Sequence, residues 1–202
     1  MNPLDNLPDF ETFAYHIIQE PESPKLVAWA KAKECERRLA MYEWIERNND
    51  QASPRHLILL NDALSAFLLT FEAALQHAKD QYHSRGFQPP FDRWLAQQPE
   101  NAPLLKGIRT LRHLDGHVQS YPVAGHITVF LGGVPGGQNF NRRWSLQELQ
   151  LADLRRLTRP QLRTSQDLAT WNGLVQSGNS LGLLGDALAR LNGLMLRLEA
   201  LV

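Results

Sequence analysis

The chain is predicted to be a mainly α-helical bundle with a short strand-and-loop insertion and a long leucine-rich helical segment behind it. Three observations predict that class. Apolar residues recur every three or four positions over most of the 202 residues, the spacing of a buried helix stripe. Ser23-Pro24 and Ser53-Pro54 are two copies of one start signal, with serine as cap and proline at the first helical position. Only His126-Ile-Thr-Val-Phe-Leu131, bounded by Gly125 and Gly132, has the texture of a strand.

Residues 1–23 contain Pro3, Pro8 and Pro21 and read as an arm laid over the body, with a short helix possible over 11–19. Residues 24–202 then form a single helical domain: a core over 24–119, an irregular insertion over 120–144, and C-terminal helices over 145–202. From 25 to about 47, Leu26, Ala30, Cys35, Leu39, Tyr42 and Ile45 mark one face. From 54 to about 82, Leu57, Leu60, Leu64, Phe67, Leu68, Phe71 and Leu75 give a second helix with two apolar sides, expected at the centre of the bundle. The short loop between these helices predicts an antiparallel hairpin. Phe91, Trp94 and Leu95 suggest one or two further turns, and Asn101-Ala-Pro103 starts a helix running to about 119.

Beyond that point, residues 134–141 are a loop by composition. Ser145 is expected to cap a helix from 146 to about 158, stopped by Pro160. The last segment carries Leu174, Ser177, Leu181, Leu184, Leu188, Leu191, Met195, Leu198 and Val202 at alternating spacings of four and three, a coiled-coil-like seam. Gly173, Gly178, Gly182, Gly185 and Gly193 lie among them, several near enough to the seam to permit close helix approach. A break near Gly178-Asn179, with Ser180 capping a separate final helix, is the alternative.

Composition excludes several functions. Lys+Arg and Asp+Glu both count 21, so no global field draws in nucleic acid or anionic membrane. The single cysteine, Cys35, rules out an intrachain disulfide and favours a reducing, intracellular setting. With no apolar run of membrane-spanning length and no signal-peptide pattern at the start, the expectation is a soluble cytoplasmic protein without membrane contact.

One stretch concentrates ionisable groups on a helical pattern: Lys106-Gly-Ile-Arg-Thr-Leu-Arg-His-Leu-Asp-Gly-His-Val-Gln119. Ile108, Leu111, Leu114 (or Asp115) and Val118 mark its buried face. Arg109, His113 and His117 follow at i, i+4 and i+8 along a neighbouring stripe, with Arg112 and Gly116 beside it.

Arg112-His-Leu-Asp-Gly-His117 resembles the R-x4-H signature of the HEPN superfamily. The preceding pattern is similar too: two long helices in a hairpin, a short helical piece, then a helix with the motif in its second half, together spanning about 24–119. The resemblance implies a bundle that dimerises so that two motifs face each other. Catalytic members are metal-independent ribonucleases, often toxins or defence effectors, while many others are non-catalytic binding or scaffolding modules. Cleavage without metal needs a base for the 2′-hydroxyl, an acid for the leaving oxygen and positive charge for the phosphorane. His117 suits the base or acid, Arg112 suits phosphate clamping, and His113 would position or stabilise. Arg109 would add charge, and Gly116 would admit a backbone or phosphate. The expected partners are a second copy of the chain and RNA, with the leucine seam open to a protein.

Competing readings remain for these residues. The stripe could be a solvated basic face. His113 and His117 could share a metal ion, with His126 or Asp115 as third ligand, although Arg109 and Arg112 repel a dication; neither a metal nor a cofactor is expected. The glycine-rich 132–137 loop lacks the lysine and following Ser/Thr of a phosphate loop. Arg142-Arg143 and Arg155-Arg156-Arg159-Arg163 could track phosphates, but Glu148 and Asp153 interrupt them and favour a solvated face. Trp29, Trp44, Trp94 and Trp171 are expected in the core or an interface.

Overall fold

The computed structural model describes residues 27–47, 54–117, 123–130, 139–155, 157, 161–162 and 164–201; for 27, 54–57, 115–117, 123–130 and 139–145 it describes the backbone alone. The expected arm over 1–23, the Ser23-Pro24 start and the Gly132–Gly137 loop lie outside those residues. The elements are α1 (Val27–Arg47), α2 (Pro54–Ser84), α3 (Phe91–Ala96), α4 (Pro103–His117), β1 (Val123–Phe130), β2 (Asn139–Leu146), α5 (Leu151–Arg155), α6 (Ser165–Ser177) and α7 (Ser180–Glu199). The protein is a mainly α-helical bundle.

The first helix, α1, buries Ala28, Ala32, Cys35, Tyr42 and Ile45, at spacings of four, three, seven and three. Ala30, expected on that face, is exposed, because it sits about 200° around the axis from Ala28. The outer side carries short-range ion pairs, Lys31–Glu34 and Lys33–Glu36 at 2.8 Å and Arg38–Glu34 at 3.3 Å. Its partner α2 is the central helix, as expected, burying Leu60, Leu64, Phe67, Leu68, Phe71 and Leu75. The sequence led us to expect no membrane-length run, yet Ile58–Ser84 meets that test by length and composition. More than half of its most apolar window is buried in the bundle, so the packed core accounts for its apolarity. At the end of α2, Tyr82 packs against Phe87, Phe91 and Trp94, and Lys79 pairs with Asp92 at 2.9 Å, seating α3.

The C-terminal segment breaks where the alternative placed it. Gly178 closes α6 through its N–H to Leu174 O at 2.7 Å. A side chain there would meet Leu174 O at 2.9 Å and Leu183 at 3.0 Å. The cap of α7 is Asn179, whose Oδ1 accepts from Gly182 N at 2.6 Å. Ser180, expected as cap, is instead fully buried and bonded to the Tyr42 hydroxyl at 2.7 Å. The seam is spent within the chain: Leu184, Leu188, Leu191, Met195 and Leu198 are buried, and α7 packs on α1, α2 and α4. Trp29 Nε1 donates to Glu199 and Asn192 donates to Glu36, both at 3.3 Å. With Tyr42–Ser180, these contacts set α1 and α7 antiparallel.

The insertion differs most from expectation. Its first strand is paired: β1 and β2 form an antiparallel ribbon with Val123 opposite Leu146 and Phe130 opposite Asn139. Residues 139–141, read as loop, belong to β2. Ser145 does not precede a helix; it holds a ladder position opposite Ala124. The expected helix over 146–158 shrinks to α5, which starts only after an extended 147–150 stretch. The Asn172 side chain grips that stretch, accepting from Leu149 N and donating to Leu149 O, both at 2.9 Å.

Candidate functional site

Pro103 opens α4 at the position proline tolerates best, and Leu104, Leu105, Ile108, Leu111 and Leu114 form its buried face. Gly107 lies within that face for a reason the sequence did not announce. A Cβ there would sit 1.9 Å from Trp171 Cε3, so the indole occupies the space a side chain would need. Trp171 is fully buried, and its Nε1 donates to Gln147 O at 3.2 Å. Close helix approach is therefore made by Gly107 on α4. At Gly173 and Gly185, near the seam, an added Cβ would meet nothing within 4 Å.

The polar side of α4 divides into two halves. In the first, each polar side chain is engaged. Lys106 pairs with Asp167 at 3.3 Å. Thr110 Oγ1 donates to Lys106 O at 2.8 Å and accepts from Leu162 N at 3.4 Å. Arg109 donates through Nε and Nη2 to the two Glu72 carboxylate oxygens, both at 2.9 Å, and through Nη1 to Gln161 Oε1 at 3.2 Å. This fork is only 15% exposed. Expected to add charge at a phosphate, Arg109 instead fastens α4 to α2 and to the 161–162 segment, because a planar guanidinium matches a carboxylate in two bonds.

In the second half, Arg112 and His113 are half-buried. No hydrogen bond or ion pair of the Arg112 side chain is found among the described residues, whereas His113 has a partner. Gly116 and His117 close the helix, and their side-chain surroundings lie outside the described residues. Within one helix, a five-residue step turns about 140° and rises about 7.5 Å. Positions 112 and 117 therefore lie on different sides of α4.

For the metal alternative, no group of three His, Cys, Asp or Glu side chains is suitably placed among the described residues; the side chains of His117, Asp115 and His126 lie outside them. Cys35 offers no nucleophile, since burial, then Glu34 and Glu36, push its thiol up to about 12. Trp171 and Trp94 are core residues, as expected. Glu72 was missed at the sequence level, although it carried a signal: a lone carboxylate within Leu68-Leu-Thr-Phe-Glu-Ala-Ala-Leu75 must find a cation. Gln161 and Asp167 carried no comparable signal.

No protein-family model, no curated protein and no solved structure matches this chain.

Proposed function

We propose that the chain is a HEPN-like, metal-independent endoribonuclease working as a homodimer, with Arg112, His113 and His117 of two copies lining one cleft. One His117 takes the proton from a ribose 2′-hydroxyl, and that oxygen attacks the adjacent phosphorus. The second His117 protonates the departing 5′-oxygen, leaving a 2′,3′-cyclic phosphate and a 5′-hydroxyl. Arg112 neutralises the charge gathering on the phosphorane oxygens. The observation that carries this assignment is the contrast on α4. Arg109 is locked to Glu72, while Arg112, three residues on, retains its donors among the described residues. A rigid helix whose Arg112 guanidinium has no partner among the described residues, near a terminal histidine, suits phosphate chemistry.

The test is RNA cleavage in excess EDTA. Arg112→Ala and His117→Ala should each lower the rate by about a hundredfold or more, with unchanged helical circular dichroism. Cleavage at the wild-type rate by both variants would remove the catalytic assignment. A non-catalytic binding module is favoured by a different observation: Ile58 and Leu69 are exposed on α2, about 20° apart around its axis. RNA left intact by the wild-type protein would select that function.

A further inference from the structure

Between Asp115 and Glu148 the chain holds no acidic residue, although its acids and bases balance at 21 each overall. The β1–β2 ribbon lies entirely inside this acid-free stretch. Its register sets His126 opposite Arg143, Thr128 opposite Asn141 and Phe130 opposite Asn139. Because side chains alternate along a strand, these six residues share one face. The other face is mainly apolar and ends at Leu146, which is 1% exposed in the helical body. One face is thus tied to the bundle at its base. The face with His126, Asn141 and Arg143 has a different chemistry: cation, amide and hydroxyl, with no carboxylate to compete for them.

We propose that this face of the β1–β2 ribbon binds single-stranded nucleic acid, with Arg143 and His126 on phosphates and Asn141 and Thr128 on sugar or base edges. RNA as the natural strand follows from the function proposed above. Arginine matches a phosphate with two parallel donors. Amide and hydroxyl groups serve unpaired bases without requiring one sequence. Phe130, on the same face, supplies a stacking surface. The ribbon also follows the Arg112–His117 end of α4 in the chain. Val123 is six residues beyond His117, a chain reach of about 20 Å. Anionic membrane is disfavoured as the partner, because surface binding draws on roughly four to eight clustered basic residues and the ribbon has two arginines.

Fluorescence anisotropy with a labelled 2′-O-methyl RNA of about 20 nucleotides tests the ribbon apart from cleavage, since that backbone has no free 2′-hydroxyl. Each phosphate contact adds roughly 0.7 to the log–log salt slope for a single strand. Arg143→Gln should therefore reduce the slope by about 0.7 and weaken binding about fivefold near 0.1 M salt. Asn141→Asp, which places a carboxylate on the same face, should also weaken binding. Wild-type affinity and slope in Arg143→Gln and in Asn141→Asp would overturn the proposal. So would binding to phosphatidylglycerol vesicles with none to the oligonucleotide. If Arg143→Gln loses its helical dichroism, Asn141→Asp alone decides. Should the wild type fail to cleave RNA while the ribbon variants still lose binding, the ribbon stands and the nuclease falls. Cleavage that depends on His117, with unaltered binding in the ribbon variants, leaves the nuclease standing and removes the ribbon.

Discussion

Arg109 and Arg112 sit three residues apart on one helix and have different fates. Arg109 meets Glu72 from α2 and Gln161 from the chain approaching α6, and becomes a fastener. Arg112 meets neither, because three residues turn it about 60° away around the axis. Local sequence makes the two look equivalent: both are arginines beside apolar anchors in the same basic stretch. What separates them is which distant segment the fold brings alongside. A cluster of charge is thus a set of candidates, and the tertiary partners remove some of them.

The contrast can be broken hardest through the contact that seats α4. Gly107→Ala should cost about 3 kcal/mol, since the new methyl must displace the buried Trp171 ring; a chemical-denaturation midpoint equal to wild type would show that the crossing is loose. Next comes the arginine pair. Arg109→Ala should lose about 2 kcal/mol, because it strands the Glu72 carboxylate, a figure already reduced for partial exposure. Arg112→Ala should stay within about 0.5 kcal/mol. Adding Glu72→Gln to Arg109→Ala should recover part of the loss, a coupling that a double-mutant cycle measures. Equal costs for both arginines would erase the distinction.

The smallest effect concerns carboxylates away from α4, which sharpen the comparison of committed with uncommitted groups. Glu46 has a buried Oε2 without a hydrogen-bond partner among the described residues, and burial, then Glu43, hold its carboxyl above the ordinary 4.5. The folded state therefore takes up a proton more readily than the unfolded one. The Glu46 contribution is fully present below pH 4.5 and is lost as pH rises through the raised folded value. Glu46→Gln should gain a few tenths of a kcal/mol at neutral pH, small because the group is partly solvated, and should flatten that decline in a thermal-melt series. Glu34 runs the other way. Its hydrogen bond from Lys31 holds it low, so its small contribution is present above pH 4.5 and fades as pH falls.

Much of the helical layout was legible in the sequence because each helix carries its own record of burial. The α2 stripe from Leu60 to Leu75, the α3 anchors Phe91, Trp94 and Leu95, and the α4 face Ile108, Leu111 and Leu114 are buried as their spacing predicts. Ala30 misled because alanine marks a face only weakly; Ala28 and Ala32 have the same composition and the right angle. Ser145 misled because a serine before leucines is both a cap signal and an ordinary strand residue. Only its pairing opposite Ala124 tells the two apart. In the candidate site, the motif spacing from Arg112 to His117 was visible from the start, whereas the loss of Arg109 to Glu72 was not.

Sequence alone determined the helix-rich class, the central apolar helix and the hairpin of α1 and α2; between a continuous C-terminal helix and a break at Gly178-Asn179 it left both open. What it determined follows from periodicity and from backbone preferences within a few residues, which are local properties. The tertiary structure alone decided that the leucine seam of α7 is covered by α1, α2 and α4, that Gly107 accommodates Trp171, and that a second strand completes the ribbon. It also decided which arginine of α4 is paired. Each of these depends on residues tens of positions apart meeting in space, and no local pattern encodes which partner will arrive.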